Sequence, residues 1–403
     1  MLRIKPVDRD ISPAARLGRP MVRNRVLLVL SVAALSACFG LAFVAHAPNR
    51  LVSGQPIPLL AAATGPRLLA LLPGVVLLLG PFLPQRRDAH VMTAVAATVF
   101  IVALWWLAGA HAATLAEAAP PAARTSLGAG FWVLFICAAL VLIDTAGRLD
   151  LRPAAGILLA AVIAAAIALL GAAGALDQLS IAKEYANRRE VFAAAVTRHL
   201  VIVLAALVPT LILGAPLGVL AHRRKRIAAA VFPILNVVQT IPSIALFGLL
   251  IAPLSGLAAI FPGLAALGIS GIGLAPAIIA LVFYSLLPVV RNTVEGLAGV
   301  SRAAIEAARA MGMTRQQIFW RVELPLALPV FLTGLRITTV QAIGLAAVAA
   351  LIGAGGLGAI MFQGVFANAL DLTMLGAVPV ILLAVMADAL LRLLTLYAER
   401  QPG

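Results

Sequence analysis

Long apolar runs alternate with short polar segments along most of this chain. A helix needs about 20 mainly apolar residues to cross a bilayer, and backbone groups in hydrocarbon must pair within their own segment. Each long run is therefore predicted to be a transmembrane helix. About ten spans are expected, at residues 26–47, 67–84, 91–111, 128–147, 153–175, 199–221, 228–252, 271–290, 327–351 and 373–395.

Two segments interrupt this pattern. Residues 252–270 are apolar but contain several prolines and glycines, so we expect a loop or a re-entrant piece there. Residues 180–198 are polar and charged, and they separate the fifth span from the sixth. The domains expected from these breaks are a cytoplasmic basic tail at 1–25, an accessory five-helix membrane segment at 26–175, a polar extracytoplasmic linker at 176–198 and a second membrane domain at 199–398.

Composition favours the same architecture, an all-α integral membrane protein. Hydrophobic residues make up 63% of the chain and charged residues only 11%, whereas soluble domains have roughly 45–50% and about 25%. The net charge of +15 does not indicate nucleic-acid binding, because Lys and Arg lie mostly in the short segments between apolar runs. A basic groove with interleaved aromatic residues, as single-strand binders use, is not visible.

The same basic residues predict the orientation, since cytoplasmic loops carry an excess of Lys and Arg. With ten spans, most of them fall on the side of the N-terminus, including the run from Arg223 to Arg226. Both termini are therefore predicted to be cytoplasmic, in a multi-pass protein of the bacterial inner membrane. The first apolar run is longer than a typical signal-peptide core, so we interpret it as a retained anchor.

The longest predicted cytoplasmic loop follows the eighth span and has a helical pattern. Ser301 can cap a first short helix, Gly312 can end it in the left-handed conformation, and Thr314 can cap a second one. Pro325 suits the first turn of the next membrane helix. The apolar positions of the first helix form one stripe, made of Ala304, Ile305, Ala308, Met311 and Gly312.

These residues resemble the EAA loop of ABC importer permeases. The match rests on Glu306-Ala307-Ala308, on Gly312 four residues later and on Leu324-Pro325. A lone EAA triplet carries little weight in an alanine-rich chain, and the alternative is an ordinary amphipathic surface helix. The resemblance implies that the last five spans form a type I importer permease core and that the loop couples to an ATPase through Glu306, Ala307, Ala308, Gly312, Leu324 and Pro325.

Several further stretches resemble one branch of that family, the importers of glycine betaine, choline or carnitine. They lie at residues 236–251, 284–297, 302–335 and 352–358, and the resemblance covers about residues 195–398. One alternative is an ABC permease for another small solute such as an amino acid, since glycine-rich loops like residues 353–358 also occur in methionine-type permeases. The other is an ion-coupled secondary transporter, which would usually bury carboxylates near the middle of the membrane.

Glycines, prolines and polar residues suggest where the pathway lies. The seventh span has polar groups beside a helix break, and a glycine cluster follows the ninth span. Close helix packing is the alternative explanation for such glycines and prolines. Asp388 and Arg392 are spaced to pair along one helix, and Arg336 is expected to snorkel or to bind a carbonyl. The candidate pathway or gate residues are Gln239, Thr240, Pro242, Ser243, Gly353, Gly355, Gly356 and Gly358.

The sequence contains no sign of catalysis or metal binding. It lacks G-x-x-x-x-G-K-[ST] and H-E-x-x-H, and Cys38 and Cys137 both lie inside apolar runs. We therefore predict a non-catalytic transport subunit that binds no cofactor or metal and no nucleic acid. The resemblance implies ATPase subunits that carry ATP and Mg, an extracytoplasmic substrate-binding protein and a second permease copy or paralogue, all working in membrane lipid. Residues 26–175 contain no recognisable motif, so a scaffold, an assembly element and a regulator all remain open.

Overall fold

The computed structural model describes residues 22–49, 52–266 and 268–399. The predicted basic tail lies outside these residues except for 22–25. The chain divides into two compact units, Met1–Leu179 and Ser180–Gly403. The division into accessory segment, linker and permease domain stays a prediction.

The first unit is mainly helical. Short 3₁₀ segments at Gly65–Leu71 and Gly80–Phe82 flank the helix Leu72–Leu79, so that the predicted second span is an irregular helix from 65 to 82. Its helices are α1 (Arg25–Gly40), α2 (Leu59–Ala62), α3 (Leu72–Leu79), α4 (Arg87–Glu117), α5 (Ala129–Arg148) and α6 (Pro153–Ala172).

A small antiparallel sheet in this unit corrects the predicted first span. The helix ends at Gly40, and residues 42–47 form β1 (Ala42–Ala47) between β2 (Gln55–Pro58) and β3 (Arg124–Leu127). The prediction missed the strand because a short apolar run fits a helix or a strand equally well until its partners are known. Gly128 permits the close approach of the next helix, since a Cβ there would lie 2.2 Å from the Ala42 carbonyl oxygen.

Aromatic side chains fill the space beside this sheet. Phe131 on α5 is fully buried, and its ring centroid lies 5.0 Å from that of Trp105 and 5.7 Å from that of Phe43. The ring of Trp132 meets that of Trp105 edge to face at 6.4 Å. These contacts join α4, α5 and β1 into one core.

The second unit is helical throughout its described residues. It also contains a π-helical turn at Phe319–Glu323 and a 3₁₀ segment at Ala349–Ile352. Its helices are α7 (Ser180–Asn187), α8 (Arg189–Arg223), α9 (Lys225–Thr240), α10 (Ser243–Ile260), α11 (Pro262–Ala266), α12 (Leu274–Ala298), α13 (Arg302–Ala310), α14 (Arg315–Ile318), α15 (Leu324–Val348), α16 (Leu357–Phe366) and α17 (Leu370–Glu399).

Two predicted spans of this unit need correction. The sixth begins at Arg189 rather than 199, because the polar segment before it is already helical. The predicted seventh span, 228–252, is split between α9 and α10. Of the loop or re-entrant piece expected at 252–270, the loop is wrong for residues up to Ile260, which are helical. Helix α10 continues through Pro253, which neighbouring helices and local backbone adjustment make tolerable in membrane helices.

Helix α8 packs closely on α12 at the centre of the unit. A Cβ on Gly218 would lie 2.5 Å from the Cβ of Thr293, and one on Gly214 would lie 2.9 Å from Val289. Residues of both helices, such as Ile202 and Leu281, are fully buried in one cluster with residues of α10 and α15. Small residues thus let the backbones approach, as they commonly do between membrane helices.

The helical membrane fold is confirmed, with a somewhat different set of spans. In the part of the chain that the structure describes, nine helices are long and apolar enough to cross a membrane. The difference from about ten arises at α1, whose 16 residues fall short once the strand is removed. The split of the seventh span changes its bounds but not the number, because α10 is one of the nine.

Candidate functional site

The loop between α12 and α15 folds as the sequence predicts. Ser301 Oγ accepts a hydrogen bond from the backbone N–H of Ala304 at 3.2 Å, which caps α13. Gly312 follows with φ of +80°, in the left-handed region that glycine enters without a Cβ penalty. Thr314 and Gln317 then form a reciprocal capping box at the start of α14. The helix–glycine–helix structure is confirmed.

One side of this loop packs against the ends of the membrane helices. Ala308 is 1% exposed, so it supports the loop from inside, although the resemblance placed it among the ATPase-coupling residues. The guanidinium of Arg223, at the end of α8, lies 4.8 Å from the ring centroid of Phe319. The apolar contacts are those of Ile305 and Phe319 with Leu297, Val300 and Ala327.

The opposite side of the loop is open. Glu306, Ala307 and Gly312 are exposed, and Met311 and Trp320 keep 74% and 59% of their surface exposed. Met311 was predicted to continue the apolar stripe of the first helix, but α13 ends at Ala310, so the helical spacing stops before it. Sequence reasoning also missed Trp320 as a surface residue. The sequence signal for it was the presence of two large apolar residues, Met311 and Trp320, in a charged loop. Exposed apolar residues of this kind mark interaction sites.

Leu324 and Pro325 lie where the loop enters the membrane helix. The π-helical turn Phe319–Glu323 joins α14 directly to α15, so residues 315–352 form one continuous helical segment. Pro325 occupies the first turn of α15, directly after the π-helical turn. A displacement of α13 and α14 would therefore pass straight into α15.

The break predicted in the seventh span lies between α9 and α10. Gln239 Nε2 donates a 2.7 Å hydrogen bond to the carbonyl of Tyr284 on α12, and the Tyr284 hydroxyl donates to the carbonyl of Ile241. Gln239 thus ties the break to α12. Thr240 is exposed and bonds only locally, to Val237 O at 2.7 Å. Pro242 precedes α10, which begins at Ser243.

The glycine cluster forms a tight turn between α15 and α16. Arg198 Nε on α8 donates to the carbonyl of Ala354 at 3.0 Å, and His199, fully buried, lies 3.3 Å from where a Cβ on Gly356 would be. A Cβ on Gly358 would lie 1.9 Å from Ala347 O. Sequence reasoning missed the roles of Arg198 and His199, which depend on contacts distant in sequence. The left-handed positions are Gly353, Gly355 and Gly356.

Metal-ligating side chains do not cluster among the described residues. No group of three or more His, Cys, Asp or Glu side chains there could hold an ion. Cys38 and Cys137 are both free thiols.

Two family models match the chain in tandem. Residues 22–182 match the N-terminal domain of ABC transporter permease YehY, and residues 210–397 match the binding-protein-dependent transport system inner membrane component. The permease protein OpuCD of the glycine betaine/carnitine/choline transport system of Bacillus subtilis is 41% identical over 178 residues, which cover 44% of this chain and 71% of OpuCD. The chain belongs to the binding-protein-dependent transport permeases.

A second named relative agrees with this assignment, and the chain also aligns in part with a solved structure. The osmoprotectant import permease protein OsmW of Salmonella typhimurium is 43% identical over 194 residues, covering 48% of this chain and 85% of OsmW. Among solved structures, an inward-facing MetNI methionine ABC transporter aligns with 26% identity and a TM-score of 0.43, over 51% of this chain and 97% of that one.

The family confirms the function that the EAA loop implied. The permease is the membrane-spanning transport subunit of an ABC importer in the inner membrane. The secondary-transporter alternative is thereby set aside. The N-terminal segment, in which no motif was recognised, matches a family of its own.

Proposed function

We propose that this permease imports osmoprotectants of the glycine betaine and choline class. The observation that carries the proposal is the identity of about 40% to relatives named for transport of glycine betaine, carnitine and choline. The family model that matches residues 210–397 covers the break at Gln239, the coupling loop and the glycine turn. The aromatic and charged side chains that recognise such solutes would be divided between the permease and a binding protein.

Coupling to ATP runs through α13. Its outer surface offers Glu306 and Ala307 beside the exposed Met311, and Ala308 anchors its inner side. Helix α13 joins α14 across the turn at Gly312, and α14 continues through the π turn into α15 as one helical segment, so an ATPase subunit that pulls on this surface moves a membrane helix. ATP and Mg are bound by that ATPase, and the permease contributes no catalytic group.

The loop faces the cytoplasm, and so does the C-terminus. Arg223 at the end of α8 contacts Phe319 of the loop, so the basic run 223–226 and the arginine-rich loop share one side of the second unit, as the charge rule for cytoplasmic loops requires. An extracytoplasmic binding protein delivers the solute on the other side. A second copy of the permease, or a paralogue, completes the pathway, and residues 26–175 serve as an accessory segment.

Affinity purification from native membranes, followed by reconstitution, tests this proposal. We expect an ATPase and a binding protein to co-purify, and proteoliposomes containing the complex to take up glycine betaine or choline only when ATP is supplied. Uptake of an amino acid instead would overturn the substrate class and leave the coupling intact. Recovery of the permease without an ATPase would overturn the coupling proposal.

A further inference from the structure

An ion pair joins α15 to α17 inside their membrane-spanning segments. Arg336 Nε lies 3.1 Å from Asp388 Oδ1. This partner differs from the one expected, since Asp388 was predicted to pair with Arg392, and Arg336 to snorkel or to bind a carbonyl. Both residues lie well inside helices that qualify as membrane spans, Arg315–Ile352 and Leu370–Glu399.

The pair is only partly covered by its own chain. The side chains of Arg336 and Asp388 keep 33% and 46% of their surface exposed. Charged groups at membrane depth are costly against lipid, and they face a protein interior or a water-filled cavity where they occur. The exposed side of this pair therefore belongs to an aqueous or protein-lined space.

The surface of α15 beyond Arg336 is open at Gly344. Gly344 lies eight residues further along the helix, a rise of about 12 Å. It is exposed, and a Cβ added there would meet nothing within 4 Å. The ion pair and this open glycine position thus lie on one stretch of α15.

We propose that Arg336 and Asp388 contact the solute in the translocation pathway, Arg336 binding its carboxylate and Asp388 its quaternary ammonium group. The inference rests on the proposed function, whose solutes include glycine betaine and carnitine, both zwitterions with these two groups. Without solute the two side chains pair with each other, which keeps each charge compensated. Choline has the ammonium group but no carboxylate, so it uses Asp388 alone.

Uptake by the reconstituted complex with loaded binding protein in excess tests the assignment. Arg336→Gln should lower the rate of glycine betaine uptake about tenfold or more, the effect of losing one charge-assisted hydrogen bond, and should lower choline uptake much less. Asp388→Asn should lower the uptake of both solutes. Equal effects of Arg336→Gln on the two solutes would overturn the assignment, whereas wild-type complex that carries neither solute would overturn the proposed function instead.

The exchange of both charges separates a solute contact from a structural salt bridge. Arg336→Asp combined with Asp388→Arg keeps an ion pair between α15 and α17, so a purely structural pair predicts full recovery of both transport and thermal stability. If the two residues contact the solute, the exchanged variant should recover thermal stability, but its rate of glycine betaine uptake should stay about tenfold below that of wild type. Recovery of wild-type uptake would refute the proposal.

If the exchanged protein does not fold, cysteine labelling decides. Cys38 and Cys137 are replaced by Ser, and Gly344→Cys is labelled with a water-soluble trimethylammonium thiol reagent. Glycine betaine should slow the labelling, and unchanged labelling refutes the site.

Discussion

Gly312 offers the sharpest test of the coupling loop, because its replacement isolates a backbone effect. A Cβ added at this position meets nothing within 4 Å, yet φ is +80°. The cost of Gly312→Ala is therefore conformational rather than steric, about 1–2 kcal/mol for a left-handed L-residue. That energy shifts the equilibrium between the loop conformation described here and alternative conformations by a factor of roughly 5–30.

The expected consequence is a lower affinity for the ATPase, while the membrane domain stays folded. Titration of purified ATPase subunits onto permease in nanodiscs should give a dissociation constant that rises by up to about 30-fold for Gly312→Ala. Gly312→Asn should lose less, because asparagine tolerates the left-handed region better than alanine. Gly312→Val should lose at least as much as alanine.

A matched control separates this effect from glycine replacement in general. Gly248 lies within α10, and a Cβ added there would also meet nothing within 4 Å, but its φ is not positive. Gly248→Ala should leave ATPase binding unchanged and stabilise the helix by about 0.5–1 kcal/mol. Wild-type affinity in both Gly312→Ala and Gly312→Val, with the protein folded, would refute the reasoning.

Three further changes test other parts of the permease. Glu306→Lys should abolish recovery of the ATPase in pull-downs while membrane insertion stays normal, because it reverses the exposed charge of α13; normal recovery would contradict the coupling role. Thr314→Ala removes one bond of the capping box and should lower the stability of the loop by about 1 kcal/mol, seen as faster proteolysis there, whereas Thr314→Ser should behave as wild type. Gly358→Ala should lower the melting temperature in detergent, because its Cβ would lie 1.9 Å from Ala347 O and such overpacking costs about 1–3 kcal/mol. Gly344→Ala, in open space, should not.

Local signals in the sequence were sufficient for the coupling loop. Its caps at Ser301 and Thr314 and its turn at Gly312 depend on residues within a few positions of each other, so their spacing alone specifies the backbone. The apolar runs likewise specified most spans, because hydrocarbon forces a long apolar segment to be helical. The class of protein followed from these two features together.

Contacts between distant residues were decided only in the tertiary structure. Residues 42–47 are a strand because β2 and β3 supply its partners, as where His46 lies between Gln55 and Thr125. Asp388 pairs with Arg336 rather than with Arg392 because α15 packs along α17, and Arg198 reaches Ala354 because α8 lies beside the glycine turn. The energy of such pairs depends on which helices are neighbours, and helix periodicity within one segment does not contain that information.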